Sequence, residues 1–445
     1  DGTILDIDTK ALSELKRTAP NSLRLDVPTK DANFELELVK ADIFTDDFKV
    51  TTSEGEELDL DLGVHYHGMI KGDNSSLVAL SIQDGEVSGF FSNDKGNYVI
   101  GKLDDKKSAK NEHIVYLQSD LNVDYNVECG TDDDGIPYPS DLLEHKGTDL
   151  QYKNTGHGIR VFLEVDNDIF TDKGWGVMLF VTPIFNQTAA IYANEGVNIR
   201  LSHTIVLGTA SPYSGSTSTI LGQFQNRYDN DNGFDGHLGA LVSYKQSGAG
   251  RAGKIGGYCT SNIDDRMFFS GLGNHETPAV LSYTRNVYVF AHEMGHVLGS
   301  QHTHACAWNG NNTAIDGCAN YTHGSCAVPG YPSDGGTIMS YCGNTYVGVD
   351  FSKGFGPQPG NVIRNTAAQM LNGVNRWLCT QQFGWGYFYG DGRVYTTAYG
   401  WIYLPEDNGD VCGAQDVWFY IYDGACGYGA GWFRDGIYGT IMIYS

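Results

Sequence analysis

Ala291-His292-Glu293-Met294-Gly295-His296-Val297-Leu298-Gly299-Ser300-Gln301-His302 is the stretch on which the reading of this chain turns. Val287, Phe290, Ala291, Met294, Val297 and Leu298 recur at helical spacing, which predicts a helix over 287–298. Residues i and i+4 of a helix share a face, so His292 and His296 can offer both imidazoles to one ion. Glu293, beside them, is placed to take a proton from an attacking water. Gly299 ends the helix, because Gly readily adopts the left-handed conformation that turns the chain, and the turn lets His302 reach back as a third ligand. Three protein ligands with a fourth position open describe a catalytic zinc site rather than a structural one. His292, Glu293 and His296 alone could be surface residues. The full HExxHxxGxxH pattern arises by chance on the order of once in 10,000 chains, by multiplying residue frequencies.

Around this motif the chain reads as a mixed α+β protein in three units. Residues 1–135 are β-rich: Phe34–Leu38 alternates, and so do the stretches around Leu77–Leu80 and Tyr98–Ile100, with Gly-Asp, Asn-Asp and Asp-Gly turns between them. Three acids, a Gly and two Pro in Thr131–Ser140 predict an exposed, cleavable connection, and residues 136–156 are assigned to that linker. Residues 157–380 alternate strands (Ile159–Val165, Ile199–Leu207, Leu238–Tyr244) with helices, one around Trp175–Asn194, the motif helix, and one from an Asn361 N-cap to Leu378. Residues 381–445 are dense in Gly, Tyr and Trp and predict a small all-β appendage for packing or anchoring, or for sugar binding on exposed aromatic faces.

The motif, followed by Gly336-Thr337-Ile338-Met339-Ser340-Tyr341-Cys342, resembles the metzincin metallopeptidases, whose zinc helix is followed by a methionine-containing turn. Within that clan the likeness is to bacterial reprolysin-like (adamalysin-like) peptidases. It covers His157–Cys379, including His302-Thr303-His304-Ala305-Cys306 and 351–365, and residues 64–117 with Tyr66-His67-Gly68 resemble the propeptide of that family. The resemblance implies a zinc endopeptidase acting on proteins in an extended groove, with an α/β catalytic domain, an inhibitory propeptide, and Met339 packing in the Met-turn. Tyr341 stands where astacins and serralysins place a tyrosine that contacts zinc or the oxyanion, although reprolysins generally lack it; the alternative is a buried turn tyrosine. Reprolysin-like propeptides carry a switch cysteine before Gly, and Cys129-Gly130 fits that role as a fourth zinc ligand. Its alternatives are a buried free thiol, or a cap by Asp132, Asp133 or Asp134 as in astacin propeptides. His304 lies beyond the three ligands the motif uses, and His65, His67, His157, His237, His275 and His323 have no partner at ligand spacing.

Composition narrows the partners. A net charge of −25 excludes a phosphate-binding basic face, so no nucleic-acid partner is expected. The acid is uneven: 32 of the 54 Asp and Glu residues precede Gln151, against 14 of the 29 Lys and Arg, which gives the N-terminal unit its own surface character. No apolar run suggests a transmembrane segment. A start at Asp1 with no leader would suit an exported protein whose leader was removed and a cytosolic one alike, and the cysteines decide: eight of the nine lie in the C-terminal half, an even set suited to disulfides in an exported protein. Cys259–Cys379, Cys318–Cys326 inside Cys306–Cys342, and Cys412–Cys426 are the expected pairs. Calcium (Ca2+) is compatible with an exported acidic chain, but no EF-hand or repeat motif for it is present. The competing class is a zinc-fold adhesin that binds through its aromatic tail; intact Glu293 argues for the enzyme.

Overall fold

The computed structural model describes residues 2–30, 32–83, 85–103, 112–121, 127–133, 135–144, 158–229, 233–260, 262–273 and 283–367, and six later strands between 376 and 434. The N-terminal region opens with β1 (Gly2–Asp6), α1 (Thr9–Thr18), β2 (Ser22–Pro28), β3 (Asn33–Lys40), β4 (Phe44–Thr52) and β5 (Glu57–Leu58). It continues through β6 (Val64–Ile70), β7 (Asp73–Gln83), β8 (Glu86–Asn93), β9 (Gly96–Lys102) and β10 (Glu112–Leu117). Eight of these strands form one antiparallel sheet, β1-β10-β9-β8-β7-β6-β3-β2. The helix α1 was not expected from the β-rich pattern. Its cap is legible in hindsight, because the Asp8 side chain accepts from the amides of Lys10 (2.9 Å) and Ala11 (3.1 Å).

A short strand β11 (Glu128–Cys129) and a single helical turn α2 (Ser140–Leu143) lead to the second half. There β12 (Ile159–Val165), α3 (Asn167–Lys173), α4 (Val177–Asn194), β13 (Ile199–Val206), α5 (Thr217–Arg227) and β14 (Leu238–Ser243) follow. After them come β15 (Ala249–Ala252), β16 (Met267–Gly271), α6 (Tyr283–Val297) and α7 (Pro357–Ala367). The second sheet runs β11-β15-β16-β14-β12-β13-β4-β5, so N-terminal strands supply both of its edges. Its central pairs, β12 with β13 and β14 and β14 with β16, are parallel, and β15 returns antiparallel on β16. Six late strands, β17 (Arg376–Thr380), β18 (Gly384–Phe388), β19 (Arg393–Thr396), β20 (Gly400–Tyr403), β21 (Trp418–Ile421) and β22 (Gly431–Arg434), form an antiparallel meander.

The two sheets share α4. Every residue from Val177 to Tyr192 except Leu179 is buried, including Asn186 and Gln187, because one face of the helix lies on the second sheet and the other under β7 and β8. A helix apolar all round belongs inside a protein or a bilayer. By length and composition alone residues 167–194 could cross a membrane, but 83% of their 18-residue apolar window is buried within the protein, as in the core helix of a soluble domain. Strand β7 explains its own continuous apolar run in the same way. Leu77 and Ala79 join the core around α4, whereas Val78, Leu80 and Ile82 join the N-terminal sheet's own core. Burial of each such Val, Leu, Ile or Phe contributes roughly 1.5–3 kcal/mol.

Two expected elements are corrected. The last helix begins at Pro357, with Pro in its first turn, where a missing amide costs nothing. Asn361 is no cap but a buried residue donating to the Leu143 carbonyl (2.7 Å). Trp377 and Leu378 are in β17, paired with Tyr387 and Gly386, while Met370 and Val374 lie outside the described residues. The disulfides are Cys306–Cys326 and Cys318–Cys342, not the nested pairs expected. Sequence separation alone does not choose between the two pairings; Cα distances of 5.7 and 4.9 Å fix the choice. The pair Cys412–Cys426 and the side chains of Cys259 and Cys379 lie outside the described residues.

Candidate metal centre

Helix α6 starts four residues earlier than its apolar stripe suggested and is wedged between β16 and α4. Phe290 packs edge-on against Phe268 (5.1 Å) and Phe185 (6.2 Å), and Tyr192 of α4 donates to the Ala291 carbonyl at 2.9 Å. At Gly295 a Cβ would lie 2.8 Å from Met339 Sδ and 2.9 Å from a Phe355 ring carbon, so only Gly lets the Met339 segment approach the helix. At Gly299 the backbone turns with φ +100°, and the chain doubles back to His302. His292, His296 and His302 are all buried.

Each imidazole is oriented by its Nδ1. His292 Nδ1 donates to the Ile338 carbonyl and His296 Nδ1 to the Ser300 carbonyl, both at 2.7 Å. A carbonyl can only accept, so the proton of each neutral ring sits on Nδ1 and each Nε2 presents a lone pair. Those two Nε2 atoms nevertheless lie 3.1 Å apart. His302 Nδ1 lies 3.1 Å from both Asp133 oxygens, and its buried Nε2 has no protein partner. Cys129 Sγ is 3.4 Å from His296 Nε2, and the ligand atoms of Cys129, His292, His296 and His302 all lie within 4.8 Å of one another. Three lone pairs and a sulfur converging in a buried space repel one another unless a cation sits among them. A tetrahedral ion with bonds of about 2.05 Å to nitrogen and 2.3 Å to sulfur sets edges of about 3.3 and 3.6 Å. The observed 3.1 and 3.4 Å are close to those edges. The donor set fits a zinc-type ion.

Glu293 is buried beside this cluster. Burial pushes its pKa up to about 8, against the opposing pull of hydrogen bonds from Cys129 and Thr131. Burial, reinforced by the Glu293 charge, likewise holds the Cys129 thiol well above its usual range. A coordinating cation reverses that preference, because it deprotonates a bound thiol outright. Tyr341 lies with its ring 5.1 Å from that of His302. Burial raises its pKa.

Thr131–Ser140, expected to be an exposed linker, leaves Asp132, Gly135, Ile136, Pro137 and Ser140 exposed, but buries Thr131, Tyr138 and the Asp133 carboxylate and so lies as a strap across the cluster. The amides of Glu128 and Gly130 donate to the carbonyls of Gly248 (3.0 Å) and Gly250 (2.8 Å), extending β11 parallel to β15. Thr131 donates to Glu293 Oε2 (3.0 Å) and accepts from the Ala252 amide (2.8 Å). Tyr138 stacks at 4.5 Å on Trp308 and donates to the Gly299 carbonyl at 2.7 Å. Thr131 and Tyr138 are buried because the second half of the chain supplies partners for them, which composition does not reveal. Asp133 sits at the Nδ1 side of His302, not the Nε2 side, and the Asp132 side chain is 92% exposed, so neither lies where an aspartate cap would. Asp134 lies outside the described residues.

A second group, Asp133, His302, His304 and His323, adjoins the first and shares His302. His323, which had no partner at ligand spacing, is brought to Asp133 by the fold. His304 is buried against His302 and Tyr341, and neither of its ring nitrogens has a protein partner. A third group, Asp316, Cys318 and Cys342, contains two cysteines already joined in a disulfide, so it is not a metal site. Sequence reasoning missed Thr131, Tyr138 and the clasp by Asp133; the acidic run at 132–134 was the one visible signal.

Residues 156–352 match the family model Reprolysin_5, described as metallo-peptidase family M12. That segment is similar to the M12 metallopeptidases. The domain so matched contains the three histidines, Glu293, Met339 and Tyr341, and stops short of the Cys379 boundary expected from sequence. No curated protein matches the chain. Among solved structures, a metalloproteinase-II from Bacteroides fragilis is similar at 12% identity and a TM-score of 0.39 over 69% of this chain and 90% of that one.

Proposed function

We propose that this chain is a secreted zinc endopeptidase whose N-terminal region holds it latent. The observation that carries the reading is the convergence of three Nδ1-anchored imidazoles with the Cys129 sulfur. His292, His296 and His302 would hold zinc, with Cys129 as the fourth ligand in the uncut chain. When bound there, zinc supplies Lewis acidity that polarises a carbonyl and brings the pKa of a water to about 7.

Glu293 takes the proton of the attacking water and returns it to the leaving amine; in the latent chain its carboxylate is occupied by Thr131. The Gly248 and Gly250 carbonyls, now bonded to the strap, are edge groups that an extended peptide would use once the strap has gone. Met339 corresponds to a Met-turn packing residue against Gly295. Tyr341, beside His302, is within reach of a substrate oxyanion and is proposed as a helper there. The two disulfides suit an oxidising compartment and therefore export.

The test is casein hydrolysis by the chain cut both within residues 122–126 and within residues 145–157, so that the strap can leave, with and without a chelator. Hydrolysis abolished by the chelator and restored by zinc is expected. An inert, zinc-loaded, cut protein, or hydrolysis indifferent to the chelator, contradicts the reading.

A further inference from the structure

The N-terminal region makes two different kinds of contact with the metallopeptidase half. Residues 127–143 form the strap over the metal cluster. Among the described residues of 2–117, none makes a hydrogen bond, ion pair or ring contact to the cluster histidines or Glu293; they complete the fold around them.

Strand β4 pairs parallel with β13 from Leu201↔Phe44 to Val206↔Thr52, closing the edge of the catalytic sheet far from the cluster. Leu77, Ala79 and Phe90 cover α4 as members of the same hydrophobic core as Phe290 and Met294 of the motif helix. Asn186, fully buried on α4, spends its side chain on N-terminal atoms: its Nδ2 donates to the Leu80 carbonyl and Ser81 Oγ, both at 3.1 Å, and its Oδ1 accepts from His67 Nε2 at 2.9 Å. Asn97 holds the loop before α7, accepting from the Phe351 amide (2.9 Å) and donating to the Val349 carbonyl (2.8 Å). Departure of residues 2–117 would leave an open strand edge and an apolar helix face carrying one buried-type amide.

We propose that residues 2–117 are a permanent structural half of the enzyme, retained non-covalently after processing, and that only the strap has to leave. The second clause rests on the latent-protease reading; the first does not. Residues 2–117 contain no cysteine, so no disulfide joins them to the rest of the protein and, once the chain is cut, only non-covalent contacts can retain them.

The experiment uses the full chain with a specific protease site built into residues 122–126. After cleavage, the fragments ending at 121 and starting at 127 should co-elute in gel filtration at nanomolar concentration and in high salt, and unfold in a single transition. Separate elution overturns the proposal. A second cut within 145–157 separates this idea from the function it builds on. Peptidase activity with the first fragment still co-eluting supports both; co-elution without activity supports the structural half and counts against the protease reading. Loss of the fragment overturns the present proposal whatever the activity.

Discussion

Asp133→Ala should loosen the strap while leaving all four proposed zinc ligands in the chain, although it removes the Nδ1 partner of His302. The Asp133 side chain is completely buried and receives the His302 amide at 2.8 Å, His302 Nδ1 at 3.1 Å, and His323 Nδ1. Hydrogen bonds to a charged group contribute roughly 1.5–3 kcal/mol each, so the two from His302 hold the strap down by about 3–6 kcal/mol. His323 is 34% exposed and adds little after solvent screening. Even the lower figure, at 1.4 kcal/mol per factor of ten, raises the open population of the strap roughly 100-fold. Cys129 reports that opening directly, because its sulfur is shielded in the closed state. The alkylation rate of Cys129 in the intact, zinc-loaded chain should therefore rise by about two orders of magnitude. Asp132→Ala, whose side chain is 92% exposed, serves as the control and should leave the rate unchanged. A rate in Asp133→Ala within about threefold of the parent would refute the clasp and the energies assigned to it.

Three further outcomes follow from the same geometry. Glu293→Ala should retain the metal yet lower kcat of the activated enzyme by roughly 10²–10⁴-fold, read by peptide hydrolysis beside metal analysis; near-normal turnover would remove its role as base. Tyr341→Phe should lower kcat/KM of the activated enzyme, and an unchanged value would reduce Tyr341 to a packing residue of the turn. Gly295→Ala should lower the Tm despite alanine's better helix propensity of about 1 kcal/mol, because overpacking against Met339 and Phe355 costs about 1–3 kcal/mol. A rise in Tm, followed by calorimetry, would show that this contact relaxes freely.

The convergence of the three histidines was readable because they are local: a helical i, i+4 pair, a Gly that turns the chain, and a third histidine six residues on. The same holds for β12, β13 and β14, whose apolar runs are short and bounded by turn residues. Elements whose environment comes from distant sequence were read less well. Helix α4 looks equally suited to a membrane, and only its position between two sheets shows why it is apolar all round. The acidic, proline-containing stretch 131–140 has the composition of a linker, yet Thr131, Asp133 and Tyr138 each meet a partner more than 150 residues away. Nor does any local pattern show that β4 (Phe44–Thr52) belongs to the sheet against which the motif helix packs. The disulfides were misassigned for a similar reason, since pairing depends on how the loop 306–342 folds over itself.

The central claim is that the uncut chain holds one zinc through three histidines and the Cys129 thiolate. X-ray absorption at the zinc edge on the intact, zinc-loaded protein tests it most directly. The account predicts one sulfur at about 2.3 Å and three nitrogens at about 2.0–2.1 Å, with the sulfur replaced by a light atom in Cys129→Ala. A shell of nitrogen and oxygen alone in the uncut chain would contradict it.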